Sequence, residues 1–327
     1  MLHYFPKDLT VPKLHQLLLG GIGPRPIALV STISEDGILN LTPFSFFNCF
    51  GSNPPIIAFS PSRRGKDSSF KNTYLNLMNN KECVVQSVTY SMVNQVNLAS
   101  TEFAPEIDEF LKSGLTPIDS DLVKPKRVKE SPFQMECSMR EMRSFGNGGA
   151  SPNIAICEVL KLHISEDIVK NGIIHPDDID LVGRMSANFY SRASGDSIFE
   201  LVQPKYNIGV GYDSLPAFIK ESHIYSANNL GTFGTSQSIP AESDVKIFVE
   251  EYQNKKIENF ESSEEAFYRY QRHNDFVKML KIAISFAIEN HPKAKTLLEL
   301  TAKCAIENNV SDFAWKVAIY AGNIKSK

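Results

Sequence analysis

An antiparallel β-barrel or sandwich with a helical extension is the fold class that this chain predicts, on three features of its sequence. Up to about residue 165 the chain consists of short β-branched and aromatic runs divided by turn residues, a pattern of antiparallel strands rather than of alternating parallel units. Seventeen of the eighteen prolines fall at or before Pro240, which marks a change of composition. Beyond that point apolar residues recur at helical spacing. We therefore expect a mainly β domain over residues 1–240 and a helical extension over residues 241–327.

The first strand is PIALVSTI, entered through GPRP, in which Pro24 and Pro26 bracket Arg25 and fix the backbone where a ladder donor can be absent. The turn SEDG, whose glycine tolerates positive φ, leads into a second run, ILNLTPFSFF. PIIAFSP, ECVVQSVT, FQMECSMREM and NIAICEVLKLHI read as further strands, and KDSSFKNTYLNLMNN and SMVNQVNLAS as helices. In the extension, SSEEAFYRYQRHNDFVKMLKIAISFAIENHP opens on acids and ends at His291-Pro292, which predicts one long amphipathic helix. AKTLLELTAKCAIENN and SDFAWKVAIYAG predict two more. Phe267, Tyr270 and Trp315 belong to an apolar helical stripe and are expected to pack rather than to hold a cofactor.

Bulk properties exclude several functions. A net charge of −3 and a pI near 6.2 provide no basic field for nucleic acid. The five cysteines Cys49, Cys83, Cys137, Cys157 and Cys304 are scattered, which suggests neither a disulfide framework nor a thiolate zinc site. The N-terminus MLHYFPKDLT lacks the apolar core of a signal peptide, and no run approaches a membrane span. A soluble, cytoplasmic protein without nucleic-acid or membrane partners is expected.

Two stretches carry candidate chemistry. In FSPSRRGKDSSFKNT, Arg63, Arg64 and Lys66 surround Gly65 directly after a strand, and Asp67 and Ser68 are N-cap candidates for the helix that follows. Guanidiniums, an ammonium, hydroxyls and a helix N-terminus suit a phosphate dianion, although a solvated basic turn has the same charge pattern. The spacing is not that of a P-loop. In NLTPFSFFNCF, Phe44, Phe46 and Phe47 alternate with Ser45 and Asn48, joining ring-sized apolar surface to short polar groups that can bond a heterocycle or polyol; core packing is the alternative use of such a strand. His163 in VLKLHIS reads as a satisfied structural histidine, and His175 to Asp180, HPDDID, as a helix start rather than a metal site. GVGYDS lacks the third glycine of a dinucleotide fingerprint.

Taken together, RPIALVST, the turn with Gly37 and Asn40, PFSFFN, NPPIIAFS and the R-x-G-K-D-S run resemble the flavin reductase-like family of FMN-binding split barrels. SMVNQVNLASTEFAPEIDEFLKSGLTP, RVKESPFQMECSM, HISEDIV and DLVGRMSANFYSR extend the resemblance over about residues 20–195. It implies an antiparallel split barrel in which the backbone of Arg25, Pro26, Ile27 and Ala28 lies along the isoalloxazine ring. Ser45, Phe46, Phe47 and Asn48 then contact ring and ribityl chain, while Ser60, Arg63, Arg64, Lys66, Asp67 and Ser68 take the phosphate. Family members commonly have threonine where this chain has Ser68, and serine keeps the hydroxyl.

Arg184, Tyr190 and Arg192 resemble a stretch close to the flavin pocket or the dimer contact. The resemblance further implies FMN, in preference to FAD, as cofactor and NADH or NADPH as co-substrate. A homodimer is implied, with transfer of electrons to free flavin, oxygen or a partner oxygenase. A non-catalytic FMN-binding electron carrier or sensor is the alternative, because no dedicated nicotinamide motif is visible. The helical extension lies beyond the common domain.

Overall fold

The computed structural model describes residues 1–201 and 208–324. Its contacts divide the chain into two units, Met1–Glu200 and Leu201–Lys327.

In the first unit, α1 (Val11–Gly21) precedes β1 (Ala28–Ile33), β2 (Leu39–Phe44), β3 (Phe47–Ser52) and β4 (Pro55–Phe59). Next come α2 (Asn72–Asn80), β5 (Glu82–Ser87), α3 (Val93–Ala99), α4 (Glu109–Ser113), β6 (Pro117–Ile118) and β7 (Arg127–Val128). The long strands β8 (Phe133–Ser144) and β9 (Asn153–Ile164) are followed by β10 (Val169–Lys170), β11 (Ile173–Ile174), α5 (Pro176–Ile179), β12 (Val182–Arg184) and β13 (Tyr190–Arg192).

Seven strands form one antiparallel sheet in the order β2-β1-β5-β8-β9-β4-β3. β1 is apolar on both faces because both are covered. Ala28 and Val30 join one core with Phe44, Phe59, Val85 and Cys137, while Leu29 joins another with Leu41, Met92, Phe110 and Val182. This is the period-2 rule with two buried sides.

The two edge strands, β2 and β3, are consecutive in the chain and separated only by Ser45 and Phe46. A sheet with such edges has to curl back toward itself. No ladder joins β2 to β3 among the described residues, so the expected barrel is an open, curled sheet here. The run read as a single second strand is therefore two. β2 pairs with β1 and β3 with β4, and the division falls at Ser45-Phe46, where the consecutive Phe46 and Phe47 break the alternation.

α1 was not anticipated, although Pro12 near its start and apolar Val11, Leu14, Leu17 and Leu18 give a helical signal. The expected caps also differ. α2 begins at Asn72 after Lys71, with no side-chain cap. Asp67 instead accepts from the amide and hydroxyl of Ser69, at 2.9 and 2.6 Å. Ser68 takes a φ of +61°, which closes a turn before the helix starts.

The second unit is helical: α6 (Ala217–Lys220), α7 (Ala227–Gly234), α8 (Glu242–Asn254), α9 (Glu264–Arg272), α10 (Phe276–Ile288), α11 (Ala294–Glu307) and α12 (Ser311–Asn323). The boundary expected at Pro240 falls inside it. Leu215, Ile219, Tyr225 and Phe233 share one core with Phe267, Leu280, Leu298 and Trp315, because proline content marks local structure whereas burial decides the unit. The long helix expected from Ser262 to Pro292 is interrupted at His273–Asp275. Asn274 has a φ of +53°, and Asp275 caps α10 through the amide of Lys278 at 3.1 Å. No described helix is long and apolar enough to cross a membrane.

Candidate functional site

The proline-bracketed arginine is a structural anchor. Arg25 is buried, and its guanidinium donates to the carbonyls of Leu19 (2.8 Å), Ile22 and Met185 (2.9 Å). Two of these acceptors lie at the C-terminal end of α1, where a cation also meets the negative end of the helix dipole. Burial lowers the pKa of Arg25, and neighbouring Arg184 lowers it further. The Arg25 amide donates to the Arg184 carbonyl at 3.0 Å and is not directed to a ring. A Cβ on Gly183 would lie 2.8 Å from the Pro24 Cβ, so glycine is required where this strand passes the proline. Ile27 and Ala28 are core residues, and Ala28 is laddered to both Phe44 and Ser87. Of the four residues expected along the flavin, Pro26 lines an open cleft.

That cleft, of about 590 Å³, is lined by Pro26, Phe47, Asn48, Ser87, Phe133, Met135 and Val159, among others. Its wall is mainly apolar, with a few polar groups, and Lys161 is the one charged side chain among the described lining residues. The structure thus brings the first and second predicted stretches together at Pro26, Phe47 and Asn48. Ser45 and Phe46 form the bend beside them, where Phe46 is exposed and meets the His15 ring edge-on at 6.0 Å.

The third stretch is tied to the second through the backbone, since the Ser60 amide donates to the Phe46 carbonyl at 2.9 Å. Ser60 and Ser62 hydroxyls lie 3.0 Å apart. The two arginines then shape the basic turn. Arg63 donates to the Ser68 carbonyl at 2.8 Å and stacks 3.8 Å over the Phe70 ring, while its Nε is buried without a partner. Arg64 donates to the Phe70 carbonyl and to Ser69 Oγ at 3.2 Å. Lys66 is exposed and has no hydrogen-bond or ion-pair partner among the described residues. The loop between β8 and β9 supports the turn closely: a Cβ on Gly149 would come within 2.6 Å of the Gly65 carbonyl oxygen.

Sequence reasoning missed two charged residues beside this turn. Lys71, read as part of a helix, stands with Arg64 and Glu102 around a small cleft that also includes Asn40 and Thr42. Burial lowers the Lys71 ammonium, which Glu102 opposes and Arg64 reinforces. Beneath it, buried Glu109 accepts from Asn40 Nδ2 at 2.9 Å and from the Leu41 amide at 3.1 Å, and burial raises its carboxyl. RRGKDSSFK held the signal for Lys71; nothing local pointed to Glu102.

Elsewhere, Tyr90, Asn94, Arg184, Tyr190 and Arg192 line a cleft of about 540 Å³. Arg192 forks onto Asp180 at 2.7 and 2.8 Å and lies 4.0 Å over Tyr90. His163 Nε2 is 2.6 Å from buried Glu136, which also accepts from the amides of Asp121, Leu122 and Val123. Burial alone would raise the Glu136 carboxyl, but the amides and His163 together hold it below the usual range. Asp121, Glu136 and His163 lie within metal-ligand reach of one another, yet both Glu136 oxygens are already hydrogen-bonded. This is a satisfied structural histidine.

A curled antiparallel sheet with an apolar cleft and a basic turn defines a class, and the comparisons agree with it. Residues 21–178 match the model of the flavin reductase like domain. A protein of Aquifex aeolicus is 34% identical over 196 residues, covering 60% of this chain and 97% of that protein. The crystal structure of nitrilotriacetate monooxygenase component B from Bacillus cereus is similar at 31% identity, covering 62% of this chain and 98% of that one, with a TM-score of 0.57. A Shewanella frigidimarina structure with a split barrel domain shares the fold at 22% identity and a TM-score of 0.53. This chain belongs to the flavin reductase-like family, which makes it a flavin-linked oxidoreductase.

Proposed function

We propose that the first unit binds FMN and passes electrons from NADH or NADPH to free flavin, oxygen or a partner oxygenase. The observation that carries this reading is the continuity of Pro26, Phe47 and Asn48, which share one cleft, with the basic turn through the Ser60–Phe46 hydrogen bond.

The donor set fits the cofactor. A cleft of about 590 Å³ with mainly apolar walls accommodates a flat heterocycle. The Ser60 and Ser62 hydroxyls suit a polyol, and exposed Lys66 suits a phosphate monoester. FMN supplies the two-electron chemistry once bound. The residues of this chain position it: Phe47 and Pro26 exclude water from one side, and Lys66 neutralises the phosphate.

An exposed apolar face supports a homodimer. Leu160, Leu162 and Ile164 alternate along one exposed face of β9, an apolar extent that a second copy would cover. The Bacillus cereus relative is a monooxygenase component, which supports a partner oxygenase as acceptor.

The carrier or sensor is the second reading. It is favoured by the cleft wall, which offers Lys161 as its one charged group, and Lys161 is paired with Asp121. Anaerobic addition of NADH and NADPH to the FMN-loaded protein separates the two. Bleaching of the flavin band within seconds supports the reductase. Bleaching by dithionite but by neither nucleotide establishes the carrier.

A further inference from the structure

Arg64 and Lys71 are two cations drawn to one side of a single small cleft, and neither reaches a carboxylate at hydrogen-bonding distance. The carboxylate between them is Glu102, whose Oε1 lies 3.8 Å from Arg64 Nε and 3.9 Å from Lys71 Nζ. At that separation it is a Coulombic partner only, half-exposed and open to screening by salt. The cations are more committed. Arg64 is fixed by the Phe70 carbonyl and Ser69 Oγ, and Lys71 is partly desolvated at the start of α2, whose first-turn amides have no side-chain cap.

The cleft is small, about 20 Å³, and Glu102 and Phe103 are among the residues that line it. The remaining acid on its wall, Glu109, is buried and bonded to Asn40 and Leu41, so it does not serve the two cations.

Glu102 sits on the segment that connects α3 to α4. On one side is α3. On the other, Asp108 caps α4 by accepting from the Phe110 amide at 2.8 Å, and Glu109 anchors α4 to β2. Apart from its loose ion pairs, the Glu102 carboxylate accepts no hydrogen bond among the described residues.

We propose that Glu102 is a built-in competitor for phosphate: it occupies the Arg64–Lys71 site when the site is empty of ligand, and a phosphate monoester displaces it. This rests on the FMN reading above and adds to it Lys71 as a phosphate ligand and Glu102 as the residue that sets the affinity. A phosphate carries close to two charges and three strong acceptor oxygens, so it can approach both cations at hydrogen-bonding distance where one carboxylate does not. Displacement moves Glu102 outward and opens the cleft.

The test uses the full chain and its Glu102→Gln variant, which retains size and removes charge. FMN and riboflavin affinities are measured by fluorescence quenching, and inorganic phosphate by its protection of the first unit against thermal unfolding. In Glu102→Gln, FMN should bind about two- to fivefold more tightly at low salt, riboflavin should be unchanged, and phosphate should protect at correspondingly lower concentration. The gain should shrink as salt is raised. Lys71→Met should remove the gain, and Glu106→Gln, in the same segment but outside the cleft, should show none.

An unchanged FMN-to-riboflavin ratio in Glu102→Gln, with wild-type FMN binding intact, overturns the competitor alone. Absence of FMN binding by the wild type overturns the flavin reading, and the inorganic phosphate arm then decides the anion site by itself: no difference between wild type and Glu102→Gln rejects it.

Discussion

Arg25 and Arg184 exchange a pair of backbone hydrogen bonds, 3.0 Å from Arg25 N to Arg184 O and 2.8 Å in the other direction. The bridge lays β12 against the chain entering β1, holding two like charges side by side. The buried Arg25 guanidinium is kept there by three carbonyls.

Replacing Arg25 by alanine should therefore destabilise the first unit by about 2–4 kcal/mol, since carbonyls of α1 and Met185 lose a charged donor. Lysine should recover only part, because an ammonium cannot fork to the same acceptors. The single tryptophan, Trp315, lies in the second unit, so its fluorescence should be unaffected while near-ultraviolet circular dichroism of the tyrosines reports the loss. A cost under about 1 kcal/mol would remove Arg25 from its anchoring role.

Lys66→Ala should weaken FMN by about tenfold or more while leaving riboflavin and thermal stability unchanged. Arg63 holds the 68–70 turn, so Arg63→Ala should weaken both ligands and lower stability together, whereas Arg64→Ala should lower stability and weaken FMN more than riboflavin. Calorimetric titration with each ligand distinguishes these patterns, and equal weakening of both ligands by Lys66→Ala would return Lys66 to a solvated role.

Two buried carboxyls should give opposite pH dependences. Glu136 is held below its ordinary value of 4.5, so its contribution is present above that value and is lost as pH falls through the lowered one. Glu109 is raised above 4.5, so the folded chain retains its proton longer and stability declines as pH rises through the raised value. Urea midpoints against pH should show a shallower acid loss below about 4.5 in Glu136→Gln and a shallower decline above it in Glu109→Gln. Parallel profiles for wild type and either variant would contradict the corresponding assignment.

Cutting the chain after Glu200 should give a first unit that stays soluble and retains FMN, because the core of each unit is its own. Cutting after Pro240 should be worse despite leaving more residues. It exposes Leu215, Ile219, Tyr225 and Phe233, which share one core with the later helices. Better solubility for residues 1–240 than for residues 1–200 would overturn the observed boundary.

The strands were legible where one rule sufficed. β1, β4 and β5 are short apolar runs bounded by turn residues, β8 and the later part of β9 alternate apolar with polar residues, and each is found. What was not legible depends on partners distant in sequence. The division between β2 and β3 is a choice of neighbour, made by registers to β1 and β4, and Ser45-Phe46 alone does not show it. The anchoring of the Arg25 side chain was not legible, because one of its acceptors, Met185, lies 160 residues away. Phe47, Asn48 and Pro26 were foreseen together through the family resemblance, whereas Lys71 and Glu102 required the loop before α4 to be seen folded over α2.

The central claim is that the first unit holds FMN with its phosphate at the basic turn, and titration of FMN fluorescence with the full-length protein tests it most directly. We predict saturable quenching at one FMN per chain, a bound-flavin absorbance spectrum, and clearly weaker binding of riboflavin, which lacks the phosphate. FMN fluorescence and absorbance that remain those of the free flavin at saturating protein would contradict the account.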